Sequence, residues 1–576
     1  MEDNVKTSLS NQRSIIQRLM FFVLFAFCTI STFAQGKVTG TVVDATGEPV
    51  IGASVLVKGT SNGTVTDLNG NFTISNAQKN STIVVSYVGY KSEIVALSGR
   101  QDVKITLQED KKVLDEIVVV GYGTMKKSDV TGAMARVGEK ELNAMPVKDA
   151  LQAMQGKTAG VDITSSQRPG ETGGINIRGV RSLNANQGPL YVVDGMVLQN
   201  SDGISNLNPQ DIESIDVLKD ASATAIYGSR GANGVILVTT KHGKDGRMSL
   251  NYSGSVTFEK MYSVEDQMSA AEWLQYARLA KYNMGTYKST IGSDGYVVPS
   301  LTADQSVWGS VTASFANIAQ AYDSDGNYDA SKVGSYDWTS LGKQTGITQE
   351  HTISAAGGTD KFQGYGSFGY LKQRGTQPGQ NYTRYTAKVT FDGSPKPYFK
   401  MGTSINATYG DQDYGYSFQK STTGSGDYYS ALQAMLPWTV PYDENGAYIR
   451  NPAAGDVNII NPISELSYTT NNRKNFNVSG SFYGQLDFGK IWEPLDGLKY
   501  RIQFGPEFKF YQTGTFWDGD GINGDGNNTA KWNHYTTRAW TLDNLVYYDK
   551  TIAKDHKICL TLMQSASGYH YDYSTS

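Results

Sequence analysis

At 576 residues the chain is too long for one ordinary domain. Its formal net charge of −4, from 51 Lys+Arg against 55 Asp+Glu, offers no clustered basic surface for a nucleic-acid partner. A hydrophobic content of 39% and a mean hydropathy of −0.39 exclude a bundle of membrane helices, whereas 62 glycines with 36 tyrosines suit glycine-bent strands carrying aromatic residues, as in membrane β-barrels.

Residues 1–34 read as a signal peptide. Arg13 and Arg18 supply the positive start, residues 19–30 are apolar, and Thr32 and Ala34 place small side chains before a cleavage at Gln35. The apolar run is too short to span a bilayer. A lipoprotein signal on Cys28 is the alternative, and Phe27 stands where that signal needs a small residue. Cleavage leaves Cys559 as the lone cysteine, which makes neither an internal disulfide nor a thiolate metal site. No second long apolar segment follows, so any membrane crossing falls to strands.

Residues 35–110 show short strands at regular spacing: 38–43, 53–58, 64–74 with a turn at Asp67, Asn69 and Gly70, then 81–88 and 103–107. Asp67, Asn69 and Asn71 read as an Asx turn rather than as calcium ligands. Through GTVVDATGEPVIGASVLVKGT, TDLNGNFTI and VSYVGYK this stretch resembles the carboxypeptidase-regulatory-like β-sandwich, a fold name that implies no peptidase activity.

A linker at 111–128, KKVLDEIVVVGYGTM at its centre, holds Ile117, Val118, Val119 and Val120 between the acids Asp115 and Glu116 and the Gly121-Tyr122-Gly123 brake. β-Branched residues favour the extended state and the glycines stop it. Such a segment can add a strand to another protein's sheet edge, or simply be a buried strand.

Residues 129–243 read as mixed α/β. A short helix is expected at 147–155, strands at 160–164, 175–179 and 190–193, a helix at 208–218 with Asp211 and Glu213 in its first turn, and a glycine-rich turn before the strand 235–238. Gly228, Gly231 and Gly234 lack the spacing and the following Lys-Ser/Thr of a phosphate cradle; tight turns explain them better. LQAMQGKTAGVDI, GGINIRGVRSLNANQGPLYVVDGM and NPQDIESIDVLKDASATAIYGSRGANGVILVTTK resemble, almost throughout, the plug of SusC/RagA-family TonB-dependent outer-membrane transporters. The resemblance implies a domain that blocks a barrel until pulled, and makes 115–123 the TonB box. Arg178, Asp194 and Arg230 are candidate gating residues, forming ion pairs within the plug or to the barrel.

From 244 to 576 the pattern becomes long amphipathic strands. Leu250, Tyr252, Gly254, Val256 and Phe258 alternate with polar residues, as do Tyr385, Ala387, Val389 and Phe391, and the runs at 475–488 and 500–510. Each run is near the ~9–11 residues that a tilted strand needs to cross hydrocarbon. Between them lie long polar stretches, including 261–346 and 410–472, with a helix expected at 269–282. Their Tyr and Trp residues suit interfacial girdles ahead of sugar stacking. Roughly nine or ten strands are expected, fewer than the ~22 of a plugged transporter barrel. The expected fold is therefore multi-domain and mainly β: sandwich, α/β plug, and the N-terminal part of a 22-stranded barrel.

Enzyme motifs are missing from the sequence. His242, His351, His534, His556 and His570 are scattered, with no HExxH and no GxSxG. The acidic sets Asp323, Asp325, Asn327, Asp329 and Asp518, Asp520, Asp525 are the best calcium candidates, and the first has Tyr328 where an EF-hand needs glycine. No cofactor and no metal are expected. The resemblance implies energy-coupled import of oligosaccharides or peptides, with TonB and its ExbB/ExbD complex pulling from the periplasm and a SusD-like surface lipoprotein sharing the cargo. An outer-membrane sensor or a surface glycan-binding protein is the other reading.

Overall fold

The computed structural model describes residues 36–576 except 59, 61, 78–79, 88–89, 109–116, 121–122, 127–133, 181, 183, 185–186, 200–203, 221–223, 245, 263–266, 417–427, 454–458 and 553–555. The expected signal peptide, 1–34, and Asp115, Glu116, Gly121 and Tyr122 of the expected TonB box lie outside the described residues.

The first unit is a β-sandwich. One sheet has the order β4(Asn71–Ala77)-β1(Gly36–Val43)-β7(Asp102–Thr106), the other β3(Gly63–Val65)-β2(Ser54–Val57)-β5(Thr82–Ser86)-β6(Glu93–Ala96). Inward-facing Val42, Val55, Ile83, Val85, Leu97 and Leu107 are fully buried between them. The stretch 64–74 supplies two strands, and its Asp67 turn carries the chain from one sheet to the other. Strand β6 was not anticipated, because its residues are mostly exposed and carry little alternation.

That turn recurs at Asp44, Asp323 and Asp443. In all four the Asp amide donates to the carbonyl four residues on and the glycine at the fourth position donates back. The carboxylate Oδ1 accepts the amides two and four residues ahead, at 2.8–2.9 Å. The glycines, at φ +74° to +92°, occupy the left-handed region that a side chain resists. In the 323–329 stretch, Asp323 therefore spends its carboxylate on its own backbone.

Strands β8(Ile117–Val120) and β9(Gly123–Lys126) form a two-stranded sheet. The plug follows, with sheet order β10(Met134–Gly138)-β15(Ile212–Leu218)-β16(Val235–Thr240)-β13(Leu190–Val193)-β14(Met196–Val197) and a separate hairpin, β11(Val161–Thr164) with β12(Gly174–Ile177). The short helix Ala150–Met154 forms where expected, capped by Asp149. The helix expected at 208–218 does not form. Its acids sit in or beside the one-turn helix Pro209–Asp211, and 212–218 is a strand buried on both faces between β10 and β16. A doubly buried strand shows no alternation, so Ile212, Ile215, Val217 and Leu218 read as easily as a helix face.

The largest element is a nine-stranded antiparallel sheet in sequential order: β17(Gly246–Glu259), β18(Gly346–Gly358), β19(Phe362–Arg374), β20(Asn381–Lys396), β21(Phe399–Asp413), β22(Thr469–Asp487), β23(Leu498–Trp517), β24(Thr529–Ile552) and β25(His556–Thr575). Two of the connections at one end, β18–β19 and β20–β21, are tight turns; the opposite end carries the long stretches 260–345 and 414–468. On β20, Arg384, Thr386, Lys388 and Thr390 are buried toward the plug, while Tyr385, Val389 and Phe391 face outward.

Outward aromatics line up across strands. Nearer the long loops, His351, Tyr370, Tyr385, Tyr409 and Phe476 are successive register partners; nearer the turns stand Phe391, Phe482 and Phe504. Six residues of β20 separate the rows, about 20 Å along the strand at ~3.4 Å per residue. Two aromatic belts bounding an apolar band are what a membrane's two interfaces demand.

The long stretches fold into a layer of their own. The helix Ala270–Asn283 begins in a capping box of Ser269 and Glu272, and packs with Leu301–Trp308 and Thr312–Ala319. The tryptophans expected at a girdle instead form its interior: Trp273, Trp308 and Trp438 lie with ring centroids 6.3–6.4 Å apart. Loops of this length can bury a core, and large aromatics fill it. Asp304, fully buried, accepts from Arg278 (3.0 and 2.6 Å), Tyr287 (2.8 Å) and Tyr322 (2.6 Å). Replacing it, Asp304→Ala, strands a buried guanidinium and is expected to cost about 3–5 kcal/mol. Limited proteolysis should then cut within 260–345 while the plug stays protected.

Candidate functional site

The plug meets the inner face of the wall through side chains, and the best-connected contact is built on Asp194. The two-residue loop Asp194-Gly195 joins β13 to β14, both residues at positive φ (49° and 80°), the geometry of an Asp-Gly type I′ hairpin. That turn aims the Asp194 carboxylate at the wall. Oδ2 accepts from the Ser404 hydroxyl of β21 (2.8 Å) and lies 3.6 Å from Lys388 Nζ of β20. Thr240 at the end of β16 donates its amide (2.9 Å) and hydroxyl (2.7 Å). Gln503 of β23 donates to the Asp194 carbonyl at 3.3 Å.

His242 completes the cluster. Its Nδ1 lies 2.6 Å from Asp392 Oδ2 at the turn end of β20, and its Nε2 lies 3.9 Å from Asp194 Oδ1. Asp392 also accepts from Tyr483 (3.1 Å), over whose ring Arg501 stacks at 3.9 Å. Burial works against a charge on His242, but the attraction of Asp194 and Asp392 and the hydrogen bond to Asp392 outweigh it and push its pKa up to about 9. Burial likewise opposes ionisation of Asp194; Lys388 and His242 overcome it and hold the carboxyl well below the usual range.

A second contact ties the plug to the long-loop end of the wall. Tyr414 lies between two guanidiniums, Arg168 of the plug at 3.9 Å and Arg473 of β22 at 3.4 Å from its ring centre. Glu171 pairs with both arginines, at 3.8 and 3.6 Å, and Gln412 donates to the Pro169 carbonyl at 2.7 Å. Between the two contacts, Gly505 of β23 admits the plug closely, since a Cβ there would fall 1.8 Å from Met196 Cε.

The three gating candidates lie apart. Arg178, also at positive φ (57°), pairs with Asp220 inside the plug. Arg230 is exposed, makes no direct ion pair among the described residues, and stands within electrostatic reach of Asp543 on β24. Of the three, Asp194 alone makes a direct plug-to-wall contact among the described residues. Sequence reasoning missed its partners: Lys388 sat among the polar positions of an alternating strand, and His242 counted as one scattered histidine. A lysine at the middle of an inward-facing row was the available signal. In the expected TonB box, Ile117–Val120 and Gly123 are in strands.

A plug held against the polar face of an outward-apolar antiparallel sheet defines an outer-membrane receptor with its channel domain. Residues 38–119 match the CarboxypepD_reg-like domain, and residues 126–235 the TonB-dependent Receptor Plug Domain. A TonB-dependent receptor of Formosa agariphila is 31% identical over 560 residues, covering 96% of this chain and 48% of its own length. The TonB-dependent receptor SusC of Bacteroides thetaiotaomicron is 32% identical over 543 residues, covering 90% and 49%. The RagAB peptide importer in its open-open state shares the fold, with a TM-score of 0.63 at 24% identity over 80% of this chain and 50% of that one. The chain belongs to the SusC/RagA family of TonB-dependent receptors, a family of transporters and receptors rather than enzymes. It spans about half the length of the curated relatives it matches.

The raised pKa of His242 has a consequence. Its contribution to plug docking is complete below the ~6.5 of a free imidazole and is lost as pH rises through about 9. Asp194, depressed, contributes above the carboxylate range and fails only in strong acid. Hydrogen-exchange protection factors of β13 and β16 amides, with intrinsic base catalysis divided out, should therefore fall between about pH 7 and about pH 10, and His242→Gln should flatten that fall.

Proposed function

We propose that the protein takes part in TonB-dependent, energy-coupled import of nutrient fragments, oligosaccharides or peptides, across the outer membrane. The observation that carries this is the Asp194 contact: a plug turn held in the wall's interior by one carboxylate shared between Lys388, Ser404 and His242. Such a contact is strong while intact and breaks as a unit, because pulling Asp194 away leaves Lys388 buried and uncompensated. A mechanical pull suits this, since the energy arrives from outside the site.

In this reading TonB, driven by the ExbB/ExbD complex, engages the 115–123 segment by strand addition in the periplasm. The strand Ile117–Val120 supports it by showing that these residues already hold the extended form. The long loops face outward, where a SusD-like surface lipoprotein would share the cargo. SusC among the relatives and the RagAB peptide importer among the fold neighbours support import over sensing.

Val119→Pro removes a backbone donor from the TonB box and changes no residue of plug or wall. Energised uptake should fall to the level of cells lacking TonB while surface binding of cargo is kept. Unchanged uptake would remove the coupling role from this segment.

A further inference from the structure

The long-loop side carries a rigid structure that neither the plug nor the wall requires. Asn461, fully buried, donates to the carbonyls of Pro441 (2.9 Å) and Ile449 (3.1 Å), closing the hairpin 441–449. Its Oδ1 accepts the Ile463 amide at 3.0 Å and so caps the helix Pro462–Tyr468. Glu465, 1% exposed, accepts the Ile522 amide (3.0 and 3.1 Å) from the β23–β24 loop, and the Tyr468 carbonyl accepts the Asp518 amide at 2.9 Å. Two buried polar side chains thus lock three segments together, and burial of such groups is costly unless their geometry is fixed.

This scaffold presents two tyrosines to solvent, with a third, Tyr468, half-buried beside them. Tyr442 and Tyr448 flank the Asp443 turn, each 40% exposed, with ring centroids 5.3 Å apart. Tyr468 meets Tyr448 edge-on at 6.4 Å, and the Tyr448 hydroxyl is bonded to Ser467 at 3.1 Å. The carboxylates of Asp520 and Asp518 stand within electrostatic reach of Tyr468. The hairpin's amides at Asp443, Asn445, Gly446, Ala447 and Ile449 are already bonded within it, so it offers no backbone edge to an extended peptide. What remains to solvent is the exposed part of the Tyr442 and Tyr448 rings, with the acceptors Asp518 and Asp520 near Tyr468, and with Arg450 near Glu465. Ring faces suit the C–H side of a pyranose, carboxylates accept its hydroxyls, and the same carboxylates repel an anionic sugar.

We infer that Tyr442, Tyr448 and Tyr468 form a stacking platform for a free neutral oligosaccharide. This rests on the import reading and names its cargo class. Tyrosine faces pre-set by Asn461 and Glu465 bind without first ordering a loop, which is where most of the cost of binding lies.

The test is calorimetric titration of the detergent-solubilised protein with maltoheptaose, cellohexaose and mannohexaose, and with heptalysine as the cationic competitor. At least one saccharide should bind, Tyr442→Ala and Tyr448→Ala should each weaken it about tenfold, and the corresponding Phe variants should retain it. Tyr276→Ala, exposed on the helix Ala270–Asn283, should change nothing and controls for loop disturbance. Equal binding by the alanine variants, binding by no saccharide, or displacement by heptalysine would overturn the platform. TonB is absent from this measurement, so the import reading stands or falls separately, on energised uptake in cells.

Discussion

A lysine buried on the inner face of a membrane-type β-sheet needs a compensating charge, and much of this structure is arranged around supplying one. Lys388 is 1% exposed in its side chain, reaches Ser404 and Asn406 at 2.9 and 3.2 Å, and has Asp194 as its carboxylate. That carboxylate belongs to a different domain. Wall and plug are thereby incomplete without each other, because separating them leaves an ammonium and a carboxylate in poorly solvated surroundings. Thr240 and Ser404 donate to Asp194 and His242 stands 3.9 Å from it, so the pairing is specific as well as charged.

The same logic is graded along the wall. At mid-height the contact is ionic and buried; toward the long loops it becomes the Arg168–Tyr414–Arg473 stack, half-buried and carried by π faces and by Glu171. Elsewhere it consists of neutral bonds such as Thr408 to the Asn206 carbonyl (2.6 Å) and Asn208 to Thr352 (3.0 Å), weak singly and exchangeable with water. A domain held mostly by exchangeable bonds, with one buried ionic post and the half-buried Glu171–Arg473 pair, can leave its seat without unfolding the wall. The wall's own ladders are unaffected by such a departure, since they run strand to strand.

Outside the wall, the long loops are stabilised as an ordinary small domain would be. Asp304 gathers Arg278, Tyr287 and Tyr322 beneath a tryptophan cluster, while Asn461 and Glu465 fix the second loop group. These buried polar hubs give the loops defined surfaces, and a defined surface is what selective capture requires.

The sequence by itself determined the large divisions: a sandwich, a short β-branched linker, a plug, and strands of alternating polarity long enough to cross hydrocarbon. Each rests on local pattern, on turn residues such as the Asp-x-x-Gly units, or on a run of plug motifs, and local pattern is what a chain shows before it folds. It also put Asp194 among the gating candidates, though beside Arg178 and Arg230, which lie elsewhere. Tertiary structure alone decided which charges meet. Lys388 is nearly 200 residues from Asp194, His242 pairs with Asp392 across 150, and the strand 212–218 took its form from neighbours on both sides. Contacts between positions so far apart leave no local periodicity to read, because burial, rather than spacing along the chain, selects the partners.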